Sequence, residues 1–230
     1  MKSITSLITA GALLALAGCG GGGGSSSPTA STDTYQLRAA YVNYLTDTRS
    51  APFTVSGTVN SVNVTGSGSA TQGALSSTTF ENQSALQKVS VTTGTLNANG
   101  QTLPLSSSST TYVDSNYNPL GFNGTDYEVI SGAVTIPSTA RVNDTGVWYS
   151  STRYATSAKS IRRGTASVSY VLEPDTSSTA LLKIIRIEKD TSGGTSSTST
   201  INFRMTPSGG LTRLSESTLI PGGTALTISY

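Results

Sequence analysis

The chain contains no histidine, and only one cysteine and one tryptophan in 230 residues. The missing imidazole removes Ser-His-Asp triads, Cys-His dyads, histidine-based zinc sites and the commonest general base near neutral pH. One cysteine cannot close an intrachain disulfide. Charged side chains make up 11%, against about 25% in an average domain. Fourteen basic and twelve acidic residues nearly cancel, so the electrostatic footprint of a nucleic-acid binder is missing. No serine stands three residues before a lysine of the S-x-x-K type, and no G-x-S-x-G elbow occurs, which excludes those two serine-nucleophile patterns.

What is present begins with the N-terminus. Lys2 supplies a positive n-region, Ile4–Leu16 is a short apolar run, and small residues follow. This is the three-part pattern of an export signal. The run is shorter than the roughly 20 residues that span a bilayer. The segment Leu16-Ala17-Gly18-Cys19 then closes it.

These four residues resemble the lipobox of bacterial lipoproteins at every position. The resemblance implies that residues 1–18 are a signal peptide and that Cys19 becomes the first mature residue. Its thiol would carry a diacylglyceryl group and its amine a further acyl chain such as palmitate. Several acyl chains anchor firmly where one binds only reversibly. Gly20 follows Cys19, not the aspartate that favours inner-membrane retention in such proteins. The resemblance therefore implies the outer membrane, with the periplasmic or extracellular side left open.

Residues 19–34 read as the lipidated cysteine and a flexible Gly/Ser tether, with a typical reach of roughly 20 Å. Residues 35–230 read as a single β-rich domain. Tyr35–Leu45 is the one clear helix, with Leu37, Tyr41, Tyr44 and Leu45 on one face and Asp33 or Thr34 as its expected N-cap. Beyond Phe53 the pattern is strand-like. Its last part is clearest, as five strands over 165–172, 180–189, 198–205, 211–219 and 225–230, joined by short Gly/Pro turns. The expected fold is mainly β. It is a twisted antiparallel meander or half-barrel with one short helix packed on it.

Three carboxylate patterns invite chemistry. Asp144-Thr145-Gly146 resembles the D-T-G loop of aspartic proteases, which need two such aspartates. Only one is present, and Asn, Asp and Gly also favour a plain turn. Asp126 and Glu128 share a strand face; a hydrated pair at a strand start is the simpler expectation than a glycosidase pair. Asp114-Ser115-Asn116-Tyr117-Asn118 matches half of a calcium loop, but Pro119 and Thr125 stand where Gly and Glu belong. Lys159, Arg162 and Arg163 form the one basic cluster.

The expected function is that of a lipid-anchored envelope protein without catalytic residues, cofactor or metal. Its role would be interaction or envelope structure. The alternative is a carrier holding a lipid or other hydrophobic ligand in a concave sheet, with Tyr41, Val171, Leu182 and Ile184 in its cavity. A hydrolase centred on Asp144 is the minor alternative. The expected partners are the membrane, through the anchor, and a lipid or an envelope protein; nucleic acid is not among them.

Overall fold

A computed structural model describes residues 31–230. The leader, Cys19 and most of the expected tether lie outside the described residues. One helix, α1 (Leu37–Thr46), precedes thirteen strands. They are β1 (Arg49–Val59), β2 (Val62–Gln72), β3 (Ser76–Phe80), β4 (Gln83–Ala98), β5 (Gln101–Val113), β6 (Pro119–Asn123), β7 (Tyr127–Ser131), β8 (Thr145–Tyr154), β9 (Arg162–Pro174), β10 (Ala180–Lys189), β11 (Thr195–Met205), β12 (Leu211–Ile220) and β13 (Thr224–Ser229).

Except for β2 and β3, strands that follow one another in sequence pair antiparallel, and the ring closes through β1–β13 and β2–β4. β2 and β3 lie along the same edge of β4, end to end, so the wall has twelve strands. The expected half-barrel is thus a full barrel. Closure removes the free sheet edges that an open meander exposes, except along the upper part of β5, which β6 does not reach. At the seam Gly57 has φ +149, and an ideal Cβ there would stand 2.0 Å from the Ala225 carbonyl oxygen. The tight approach of β1 and β13 therefore demands glycine.

Eight strands make a barrel whose lumen side chains can fill; twelve leave more room. The helix takes up part of it. Leu37, Ala40 and Leu45 are buried, and the helix end of the barrel is packed with Tyr35, Trp148, Tyr170, Leu172, Leu182 and Phe203. Tyr41 meets Trp148 edge-on at 5.7 Å, and Tyr44 meets Phe203 at 5.4 Å. Both are favourable aromatic geometries.

The helix starts two residues later than its pattern suggests. Its N-cap is Gln36, without a side-chain cap bond, rather than Asp33 or Thr34. Loop carbonyls cap it instead. Gln36 N–H donates to Pro207 O at 3.0 Å and Arg38 N–H to Ser138 O at 3.3 Å. At the other end the buried Lys88 ammonium donates to Leu45 O at 2.8 Å and also to Asp47 O. A cation there satisfies orphan carbonyls and complements the helix dipole.

The outer surface is hydroxyl-rich. Ser50, Thr54 and Ser56 of β1 are exposed, and Ser50 joins Ser69 and Thr71 through hydroxyl contacts of 3.1 and 3.2 Å. On β9 and β10 the outer face carries the Lys183–Glu173 ion pair. A wall facing lipid would instead carry an apolar band between aromatic girdles. Among the described residues, no helix is long and apolar enough to cross a membrane.

A second, smaller core lies on the outer face. Phe80, at the tip of the β3–β4 hairpin, stacks on Tyr112 at 4.4 Å and approaches Tyr127 at 5.5 Å. The Tyr127 hydroxyl donates to Glu81 at 2.7 Å. Of the basic cluster, Lys159 pairs with Glu81 across the fold, while Arg162 and Arg163 are exposed. The hairpin tip thereby clamps the short strands β6 and β7.

Candidate functional site in the free mouth of the barrel

The barrel has two unlike ends. Loops 114–118, 132–144 and 206–210 cluster around the helix, through Arg38 to Asn116 O at 2.5 Å, Tyr35 paired with Ala140, and Gln36 bonded to Pro207. The turns at 60–61, 99–100, 124–126, 190–194 and 221–223 belong to the opposite end. The described chain begins on the helix side, where Tyr35 pairs with Ala140.

The mouth at the opposite end is oblique. β5 pairs with β6 only over Thr110–Val113, whereas it pairs with β4 along its whole length to Gln101. The β4–β5 hairpin therefore stands well above the short β6–β7 lip. Pro104 sits on this unpaired edge, opposite Thr95. Proline is tolerated there because no ladder bond needs its missing N–H, and it discourages a further strand from adding.

Cross-strand partners share a face, so the residues aligned with the helix-packed Leu182 and Phe203 define the lumen. Towards the free mouth the lumen has two different walls. The tall side is aliphatic, with Leu96 and Leu105 half-buried, Leu226 and Ile228 likewise, and Leu103 and Ile220 48% and 46% exposed. Inward-facing aliphatics with that much exposure mean that protein does not fill the mouth. A separate groove of about 630 Å³ lies on the outer side of this lip, lined by the outward Leu219 and Ala225 with Pro221 among others.

The opposite wall is charged. Arg153 meets Asp126 at 2.5 Å and Glu188 at 2.8 Å. Arg186 meets Glu188 at 2.9 Å and also Glu128. Ser151 Oγ donates to Glu128 at 2.9 Å. Glu128 is only 4% exposed, so the expected hydrated pair is instead a buried, ion-paired one. Asp126 and Glu128 do face the same way. The carboxylates, with burial opposing them, hold the Arg186 guanidinium above its usual value. Burial pushes the nearby Tyr149 phenol up to about 12. The Nε of Arg153 is buried without a protein partner.

The other candidates resolve differently. Tyr41, Leu182 and Ile184 belong to the helix-packed core, and Val171 points outward with Lys183. They do not line a cavity together, because the helix occupies that space. Asp144 lies in an exposed turn, where its carboxylate accepts the Arg141 N–H at 2.7 Å and its main chain bonds Leu172 at 2.9 Å. Asp114 closes an Asx turn, accepting the Asn116 and Asn118 N–H groups at 2.8 Å each. Among the described residues, no cluster of His, Cys, Asp and Glu has metal-site spacing.

The ladder of Arg153, Arg186 and Glu188 escapes a linear reading. Its members come from β8 and β10, and alternation alone does not say which face is the lumen. The one usable signal was Lys183 and Arg186 inside a strand otherwise rich in Leu and Ile. No family model, no curated protein and no solved structure matches this chain.

Proposed function

We propose that this is a lipid-anchored outer-membrane protein that holds a hydrophobic or amphipathic molecule in the free mouth of its barrel, without catalysing a reaction. The observation that carries the reading is the half-exposed aliphatic wall inside the mouth, at the end remote from helix α1. Small-molecule sites are concave and largely apolar, with few convergent polar groups. Helix α1 closes the end nearest the anchor, so a ligand would enter from the side facing away from the membrane.

The test is a native mass spectrum of the chain exported with Cys19→Ala and purified gently. A reproducible extra mass that extracts into organic solvent is expected, and Leu103→Asp should abolish it. A bare mass in a well-folded protein overturns the reading. A second reading, docking of an envelope protein, draws on the lip groove at Leu219, Ile220 and Pro221. It would then be the one to pursue.

A further inference from the structure

We infer that the barrel wall has a lateral gate at the seam between β5 and β6, and that the β3–β4 hairpin is the strap that holds it shut. The inference concerns the wall and stands whatever the mouth holds. β5 shares thirteen register pairs with β4 on one side. On the other side β6 reaches it only over Thr110–Val113, through four pairs with a shift between Tyr112 and Val113. The edge from Gln101 to Ser109 is already open to the mouth. Parting four more pairs unzips β5 along its whole length and breaches the lumen beside the inward Leu103 and Leu105. β6 and β7 share three pairs, but the 124–126 turn joins them at the mouth, so they move as one hairpin. Inside the barrel, Glu128 on Ser151 and Arg186, and Asp126 on Arg153, keep that hairpin with the far wall. The β5–β6 connection lies at the helix end, so this seam opens from the mouth.

The strap lies on that seam. Tyr112 and Gly121 face each other across it. Phe80 covers both, stacking on Tyr112 at 4.4 Å and taking the space that a Gly121 side chain would fill. Next to it Glu81 accepts the Tyr127 hydroxyl at 2.7 Å and pairs with Lys159 in the loop after β8. The hairpin tip thus bridges the seam from β5 to beyond β8. Glu81 and Asn82 both have positive φ, 49 and 63. Such turns favour asparagine and glycine, so a glutamate there is strained. Lys159 is strained likewise, at φ 55. Strain on both sides of the outermost contact lowers the work of releasing it.

The test is hydrogen exchange read by mass spectrometry on the Cys19→Ala chain. A local opening exposes amides at a lower free energy than global unfolding and uncovers little surface. Segments 110–113 and 119–123 are expected to exchange faster than 165–172 and 180–189. Urea below the unfolding range should speed the latter two steeply and the seam hardly at all. Phe80→Ala should speed the seam about tenfold, and Glu81→Gln serves as the milder variant if Phe80→Ala fails to fold. Thr111 and Phe122 are cross-strand partners, and Thr111→Cys with Phe122→Cys supplies the only two cysteines of that chain. Their disulfide should slow the seam to the rate of the far wall, and reductant should restore it. One shared rate and one shared urea dependence for all four segments overturns the gate. A seam whose rate ignores both Phe80→Ala and Glu81→Gln overturns the strap.

Discussion

The Phe80 ring stands where a side chain of Gly121 would be: an ideal Cβ on Gly121 falls 2.2 Å from Phe80 Cζ. This one contact joins the tip of the β3–β4 hairpin to the middle of β6, which has only five residues. Any larger residue at 121 has to evict the ring and also meets the Glu128 carbonyl oxygen, 2.4 Å from the same Cβ; overpacking of this kind costs about 1–3 kcal/mol. Gly121→Val is therefore expected to lower the urea midpoint without changing the fold. In a Phe80→Ala background the same substitution should cost less by the ring's share, with the Glu128 carbonyl clash remaining. Equal costs in both backgrounds would show that the ring is not what Gly121 accommodates.

Lys88 holds the plug by its C-terminal carbonyls. Burial, reinforced by Arg49, keeps its ammonium below the usual lysine value, yet two carbonyls still receive it. Lys88→Met preserves length and removes the donor. Leaving buried acceptors unmet costs about 1–3 kcal/mol. Trp148 packs on Tyr41 of the helix, so its fluorescence reports the plug. The expected result is a loosened helix end, seen as a shifted Trp148 emission at denaturant concentrations that leave the far-ultraviolet spectrum intact.

Alkali should unfold the protein sharply. Burial raises the phenols of Tyr41, Tyr127 and Tyr149, the last to about 12, whereas an unfolded tyrosine ionises near about 10. Above that value the unfolded chain has released protons that the folded one keeps. The folded state then binds more protons, so stability falls as pH rises. Tyrosinate absorbance and loss of ellipticity are expected to rise together in one transition. A gradual ionisation beginning near 10 with the structure intact would show that these phenols are open to solvent.

Anchoring is testable at one atom. Growth with labelled palmitate is expected to label the native chain and place it in the outer-membrane fraction, with Cys19→Ala unlabelled and soluble. Label on both chains, or on neither, would remove the anchor from the proposed function.

The sequence made the local structure legible and left the closure hidden. Strand β10 was readable as Ala180–Lys189, because Pro/Asp and Gly/Gly turns bound it tightly. The helix was readable from Leu37, Tyr41 and Leu45. Its caps were not, because Pro207 O, Ser138 O and Lys88 Nζ come from distant segments. Closure depends on Val55 meeting Ile228 across the length of the chain. In β1 the alternation of Phe53, Val55, Gly57 and Val59 marks an inner face, but nothing in it names the strand of Ile228 as its partner. The ladder failed to appear for the same reason, since ion pairs between strands follow register rather than spacing.

The seam between β1 and β13 also fixes when folding can finish. In a chain threaded through a membrane from its N-terminus, α1 and β1 emerge first and β13 last. The first strand keeps one edge open, and the helix lacks its walls, until the final residues arrive. Contacts of such long sequence separation form slowly, and unpaired strands are exposed to wrong partners meanwhile. A shortened product lacking β13 would leave the edges of β1 and β12 bare. Completion of the barrel thus waits on the strand that is made last among the thirteen.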